Sequence, residues 1–191
     1  MRYCEFIEVA KKHLFSTMAL LSAYENEGEA EYDLHVLMDL WYLSGYTLEA
    51  MTTYLVYKRG GWQEDSDIQY RYDREFTGRT GVDFYPNGKR CVRGVPLDTP
   101  LGNIYDIHSH HFQQIVKNIF NGDNAYDSLP YFGNTQPIDT NVEKLIDEWK
   151  PDIRYYYLGR DGISLDVLSQ ENIKKLVLTC YDIYSKINCV I

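Results

Sequence analysis

The stretch LHVLMDLWYLSGYTLEAMTTYLVYKR, residues Leu34 to Arg59, predicts one long helix with a buried face. Gly45 in its middle costs about 1 kcal/mol relative to alanine in a helix interior, so we expect another backbone or a ligand to approach closely there. Glu49 follows a residue of the apolar stripe and should lie at or near the packed side. The stripe recurs at three- and four-residue steps: Leu34, Leu37, Met38, Trp41, Gly45, Leu48, Thr52 and Leu55.

Length and composition favour an ordinary globular domain. The chain has 191 residues, of which 45% are hydrophobic and 25% charged, and this is enough to build a core. Tyrosine is unusually frequent, at 18 residues. Its apolar ring and polar tip suit half-buried surfaces, interfaces and base stacking.

The charge is unevenly distributed along the chain. The net charge of −9 argues against a generally basic nucleic-acid binder. Residues 59–93, however, contain 7 Lys and Arg against 6 Asp and Glu. Lys89, Arg90 and Arg93 lie in the most basic part of this segment, so they are the residues that we expect to contact a polyanion.

Cysteine usage and apolar runs indicate a cytoplasmic protein without a metal site or cofactor. The four cysteines, Cys4, Cys91, Cys180 and Cys189, form no CxxC pair, so neither a disulfide framework nor a zinc motif is predicted. The N-terminus lacks the uninterrupted apolar core of a signal peptide. No run approaches the roughly 20 apolar residues of a membrane helix, and we expect no membrane contact.

Five helices are predicted from the periodicity and its stop signals. The first two should form an antiparallel pair across the polar break at residues 25–28. Asp139 or Thr140 could cap the fourth helix, and Pro151 should stop or kink it. The predicted spans are residues 3–24, 29–58, 108–120, 141–150 and 164–188.

Residues 60–106 lose the helical period and read as an insertion on the helical body. They contain 7 of the 13 glycines. Tyr85–Lys89, YPNGK, is a strong turn signal between two short strand-like runs, so a small β-hairpin is predicted. A connection of this length is usually functional or mobile.

Three segments resemble the HEPN family, the "higher eukaryotes and prokaryotes nucleotide-binding" helical domains. Residues 42–50, YLSGYTLEA, are similar to the family's second-helix pattern of a small residue and an acid on a long core helix. His108 begins a helix after a loop, as in many members. Residues 149–155, WKPDIRY, are followed by a final helix that ends in YDIY.

The resemblance implies a single all-α domain over residues 1–191, an up-and-down bundle of four to five helices. It also implies a homodimer and a nucleotide or RNA ligand. Many family members are metal-independent RNases in which a histidine follows an arginine after four to six residues. No histidine follows Arg154 in this chain, so the usual RNase motif is missing.

The sequence HSHH at residues 108–111 is the densest chemical cluster. His108 and His111 share a helix face, and Asp106 lies two residues before the first of them. Zinc sites on one helix usually use a four-residue step, which this pair lacks. A solvated helix start with one packed histidine is the favoured interpretation, ahead of a ligand site or a metal site.

Glu49 and Arg154 would both point toward the bundle interior if the resemblance holds. A buried charge needs a partner, so a structural ion pair is one interpretation. The other is a polar pocket in which Arg154 holds a phosphate. Tyr155, next in sequence, could stack a base, although aromatic packing is the more ordinary role.

We therefore expect a nucleotide- or RNA-binding module whose catalytic activity is absent or weak. One alternative is an active RNase that uses His108 or His111 with Arg154 brought together in space. The other is a non-enzymatic interaction or antitoxin-like scaffold whose acidic body binds a protein partner.

Overall fold

The computed structural model describes residues 4–27, 33–59, 70–72, 81–84, 90–92, 95–96, 112–120, 123–133, 137–155 and 167–187. This described part is mostly helical, which confirms the all-α class in its broad form. The number of helices in the bundle stays a prediction, as do the single-domain assignment and the role of residues 60–106 as an insertion.

Two long helices begin the chain, as the periodicity predicts. Helix α1 spans Glu5–Glu27, so residues 25–27 of the predicted polar break are helical instead, and α2 spans Asp33–Arg59. They pack against each other along their length. The stripe of α2 is buried as expected, with its first and third members, Leu34 and Met38, only partly covered. Because α2 also contacts the final helix and two shorter segments, it is the central helix of the described fold.

The third helix changes pitch within the described residues, and its predicted start at residue 108 lies outside them. Helix α3 covers Phe112–Ile115 and continues as a π-helical turn over Val116–Phe120. Such turns often occur at functional sites. Ile115 is buried. The side chain of Gln113 donates from Nε2 to the carbonyl oxygens of Ile146, at 2.9 Å, and Trp149, at 2.8 Å.

The fourth helix confirms the predicted cap. Helix α4 spans Thr140–Asp147, and the Asp139 side chain accepts a hydrogen bond from the amide of Asn141 at 2.8 Å. Lys175 also donates to Asp139, and this bond is the first cause of a pKa lowered from the ordinary value for Asp139. The predicted end of this helix at residue 150 is wrong by three residues, since α4 ends at Asp147 and Pro151 begins a separate 3₁₀ helix, Pro151–Tyr155.

The start of the last helix was predicted wrongly, at residue 164. Helix α5 spans Gln170–Ile187. Ser169 acts as its cap, since its Oγ accepts from the amide of Asn172 at 3.3 Å. The Asn172 side chain donates to the carbonyl of Val167 at 3.0 Å. This local bonding holds residues 167–169 in a turn instead of a further helical turn.

The part of the segment between α2 and α3 that the structure describes consists of four short strands. They form one antiparallel sheet in the order β1-β2-β3-β4, with Asp83 of β2 opposite Cys91 of β3. The turn at residues 85–89 lies outside the described residues, so its conformation stays a prediction. The strands are Tyr70–Tyr72, Gly81–Phe84, Arg90–Val92 and Val95–Pro96.

Four buried serine and threonine residues of α2 carry hydroxyl groups, and each of these hydroxyls forms a hydrogen bond within its own helix. Ser44 and Thr52 each donate to the carbonyl four residues earlier, at 2.7 Å and 2.8 Å. Thr47 and Thr53 make the same bond at 3.0 Å. A buried polar group needs a hydrogen-bond partner, and here the helix's own backbone provides it. Among the helices that the structure describes, none has the length and apolarity to cross a bilayer.

Candidate functional site

The face of α2 that carries Glu49 contains the half-buried polar side chains of the candidate site. Tyr42, Tyr46 and Glu49 follow at four- and three-residue steps, so they lie on one side of the helix. All three are partly buried. Helix α1 borders this face through His13, while the 3₁₀ helix Pro151–Tyr155 also packs against α2. We call this region the α2 polar face.

Gly45 makes room for a tryptophan beside this face. A Cβ atom added to Gly45 would lie 2.0 Å from both Cε2 and Nε1 of Trp149. The Trp149 indole donates from Nε1 to the carbonyl of Tyr42 at 3.2 Å. The close approach predicted at Gly45 is therefore confirmed, but the expected partner, another backbone or a ligand, was wrong, since the approaching group is the Trp149 side chain.

Four rings surround this contact, and we call them the aromatic cluster: His13, Tyr42, Tyr46 and Trp149. Tyr46 is at its centre. Its ring lies edge-on to Tyr42 at 4.8 Å and to Trp149 at 5.2 Å, and it stacks with His13 at 5.7 Å between ring centroids. Such pairs add about 0.5–1.5 kcal/mol each beyond area burial. The rings thus pack against one another, which indicates a structural role for the cluster.

His13 is the ionisable group that the sequence interpretation missed. It is partly buried on α1, and burial followed by the nearby charge of Lys12 lowers the pKa of its imidazole from 6.5. A lowered pKa keeps the ring neutral near pH 7 and able both to accept and to donate a proton. A sequence signal existed, because His13 directly precedes the stripe residue Leu14.

Glu49 lies in a partly buried position, where a charged carboxylate is energetically costly. The residue is partly buried, and its Oε2 atom is shielded from solvent. The 3₁₀ helix that carries Arg154 packs against α2, so the structure brings the two backbone segments together. The side chain of Arg154 lies outside the described part, and the proposed Glu49–Arg154 pair stays a prediction.

The structure describes the remaining predicted site residues only in part. Tyr155 is 61% exposed at the end of the 3₁₀ helix. Arg90 begins strand β3, but its side chain is not among the described ones. His108, His111, Lys89 and Arg93 lie outside the described residues, so their distance from the α2 polar face is untested.

A second polar cluster was not foreseen from the sequence. Asp147 accepts hydrogen bonds from the hydroxyl of Tyr131 and from Nζ of Lys117, both at 2.8 Å. Tyr131 adopts a φ of +69°, which is uncommon for a residue with a side chain. Burial, and then the bond to Asp147, raise the pKa of the Tyr131 phenol well above its ordinary value. The phenol is therefore a fixed donor that ties its loop to α4.

Among the described residues, neither the buried thiol of Cys180 nor a group of metal-binding side chains forms a further reactive site. The thiol of Cys180 is buried beneath α2 and donates weakly to the carbonyl of Ser44, with a sulfur–oxygen distance of 3.8 Å. Desolvation raises its pKa to about 12, so it is inert at neutral pH. Within the described ranges, no three His, Cys, Asp or Glu side chains form a group that could hold a metal ion.

Comparison of the chain with protein-family models, with curated proteins and with solved structures finds no match.

Proposed function

We propose that the protein is a HEPN-like nucleotide- or RNA-binding module of the cytoplasm that acts as a homodimer. The observation that carries this proposal is the position of Tyr155. Its ring is 61% exposed at the end of a 3₁₀ helix that packs against α2. Exposed aromatic rings are platforms on which nucleic-acid bases stack.

The neighbouring charge supports the same function. Arg154 precedes Tyr155 in the same 3₁₀ helix, and an arginine can hold a phosphate through two parallel hydrogen bonds. An aromatic ring and a guanidinium in adjacent positions therefore suit a base and its phosphate. Lys89, Arg90 and Arg93 would supply additional phosphate contacts, as the charge distribution suggests.

The α2 polar face would hold the residues of the ligand site in position without contacting the ligand. In this proposal Glu49 orients Arg154, while the aromatic cluster fixes the position of Trp149 and of the 3₁₀ helix that follows it. Glu49→Ala would then lower both stability and binding. A Glu49→Ala variant that melts like the wild type but binds poorly would instead place Glu49 in direct contact with the ligand.

Fluorescence anisotropy with labelled single-stranded RNA and with a labelled nucleotide tests the proposal. Replacing Tyr155 by leucine should weaken binding about fivefold or more, since stacking contributes about 1–3 kcal/mol per base. Tyr155→Phe keeps the ring and serves as the matched control. Replacing Lys89, Arg90 and Arg93 by glutamine should weaken binding and reduce its salt dependence.

The outcomes also separate the alternatives. A wild-type protein that binds neither RNA nor nucleotide at low salt would overturn the proposal and favour the scaffold. RNA cleavage in the presence of a chelator, abolished by Arg154→Ala and by His108→Ala or His111→Ala, would favour the RNase. Binding without cleavage is the expected result.

A further inference from the structure

The segment between α4 and the 3₁₀ helix is held by one side-chain amide of α3. Nε2 of Gln113 donates to the carbonyl of Ile146 at 2.9 Å and to the carbonyl of Trp149 at 2.8 Å. A glutamine amide has two N–H donors, so both of them are used on this segment. We call residues 145–149 the junction.

The two bonds of Gln113 fix the direction in which the chain leaves α4. Ile146 lies in the last turn of α4, which ends at Asp147, and Trp149 is two residues beyond that end. Both donors belong to one planar amide, so they set the positions of the two carbonyls relative to each other. The last carbonyls of a helix have no partner within it, and here a neighbouring helix supplies donors.

Helix α2 contacts the junction as well. The indole of Trp41 donates to the carbonyl of Leu145 at 2.8 Å, and the indole of Trp149 donates to the carbonyl of Tyr42 at 3.2 Å. These bonds hold the junction against α2. The bonds of Gln113 add a second helix, α3, as a support for the same backbone.

A second donor follows Gln113 by four residues and contributes less. Nζ of Lys117 bonds to the carboxylate of Asp147 at 2.8 Å, but both side chains are partly exposed, and exposed ion pairs stabilise little. Since Lys117 holds a side chain and not the backbone, it does not fix the course of the chain after α4.

The junction leads directly into the 3₁₀ helix that carries Tyr155. Pro151 begins this helix two residues after Trp149. A 3₁₀ helix rises about 2 Å per residue, so Tyr155 lies roughly 8 Å beyond Pro151. A small tilt at the junction therefore displaces the exposed ring of Tyr155, whereas a binding site has to hold its side chains within about 0.5 Å.

We propose that Gln113 is a positioning residue for the ligand site, and that it acts by fixing the junction from which Tyr155 extends. Both of its donors bond to backbone carbonyls, so its effect on the ligand passes through the 3₁₀ helix. This inference rests on the proposed function, and it assigns a residue of α3 to the same site.

Fluorescence anisotropy with labelled single-stranded RNA tests the inference in a double-mutant cycle. Gln113→Met removes both donors at nearly constant side-chain volume. Apparent affinity falls with the fraction of protein that is competent to bind, so a junction held in place about one third of the time would weaken binding about threefold. In a Tyr155→Leu background the same substitution should weaken binding by a smaller factor, because it acts through the missing ring.

Ile183→Val is the matched control for a general loss of stability. Ile183 is buried on α5, outside the junction, and this truncation costs a core about as much as the loss of a hydrogen bond. The control should bind RNA like the wild type. If Gln113→Met does not fold, Gln113→Asn takes its place, because it keeps the amide and shortens its reach.

Hydrogen exchange provides a measurement that needs no ligand. The amide of Ile153 donates to the carbonyl of Lys150 at 3.1 Å. Exchange of such an amide reports local opening, so it should be several-fold faster in Gln113→Met than in Ile183→Val. Equal exchange rates in these two variants would overturn the positioning role.

The binding results separate failure of this inference from failure of the proposed function. A wild-type protein that binds neither RNA nor nucleotide would overturn both. Wild-type affinity in Gln113→Met, together with weak binding in Tyr155→Leu, would overturn the positioning role alone. Equal losses of affinity in Gln113→Met and Ile183→Val, or an undiminished loss in the Tyr155→Leu background, would also overturn that role alone.

Discussion

Gly45 and Trp149 are packed so closely that no side chain fits between the α2 backbone and the indole at this position. A Cβ atom at Gly45 would come within 2.0 Å of the Trp149 ring, and real Cβ atoms do not approach that closely. The indole is also held by its hydrogen bond to the carbonyl of Tyr42 and by its contacts with Tyr46 and Phe112. The ring cannot move away without losing some of these interactions.

Gly45→Ala should therefore destabilise the fold although alanine favours helices. Overpacking typically costs about 1–3 kcal/mol and sometimes more, against a gain of about 1 kcal/mol in helix propensity. We expect a net loss of about 1 kcal/mol or more in urea unfolding. In a Trp149→Leu background the same change should cost less or become favourable. Equal costs in both backgrounds would contradict the contact.

Gln113→Glu should destabilise the protein more than Gln113→Met at neutral pH. Both substitutions remove the two bonds to the carbonyls of Ile146 and Trp149, at a cost of about 1–2 kcal/mol. The glutamate adds a carboxylate that faces two acceptors. Chemical unfolding at pH 7 and pH 4, each relative to wild type, should show the glutamate variant recovering in acid as its carboxyl becomes protonated. Identical losses at pH 7 would contradict this geometry.

Acidification should lower stability through His13. Its folded-state pKa lies below 6.5 because of burial and then Lys12, so the unfolded chain takes up a proton first as the pH falls. This contribution is fully present above about pH 6.5, declines below that value and levels off beneath the folded-state pKa.

Unfolding at pH 7.5 and pH 5.5 measures the contribution of His13. His13→Gln should reduce the difference between the two pH values. His35→Gln, at an exposed position on α2, is the control and should retain the wild-type difference. The prediction fails if both variants respond to pH like the wild type.

Cys180 should resist modification by thiol-specific reagents in the folded protein. Burial raises its pKa to about 12, and only the thiolate reacts. In a variant with Cys4, Cys91 and Cys189 replaced by serine, reaction with a disulfide reagent at pH 8 should be at least about a hundredfold slower than in urea. Comparable rates in both conditions would show that the thiol is accessible.

The sequence was most informative where burial repeats with the helical period. The stripe on α2 is buried as predicted except for the partly covered Leu34 and Met38, because this pattern depends on one helix alone. Val142, Leu145 and Ile146 of α4 recur with the same helical period and are buried for the same reason. Gly45 predicted a close approach for a similar reason, since its helical cost needs compensation. Which group approaches it depends on how two segments more than a hundred residues apart meet, and no periodicity encodes that.

Most of the structural features that the sequence did not predict are contacts between different helices and loops. The stack of His13 on Tyr46 depends on the rotation of α1 relative to α2, and the Tyr131–Asp147 bond depends on a loop conformation with positive φ. The late start of α5 reflects the local bonds of Ser169 and Asn172, which compete with helix without changing the apolar pattern.

The hydroxyl bonds within α2 also bear on how the bundle can rearrange. Ser44, Thr47, Thr52 and Thr53 donate to carbonyls of their own helix, so these bonds do not depend on the position of any neighbouring element. The bonds from Trp41 to the carbonyl of Leu145 and from Trp149 to the carbonyl of Tyr42 instead join α2 to the α4 segment. A displacement of this segment relative to α2 would therefore break the two indole bonds and leave the four hydroxyl bonds intact.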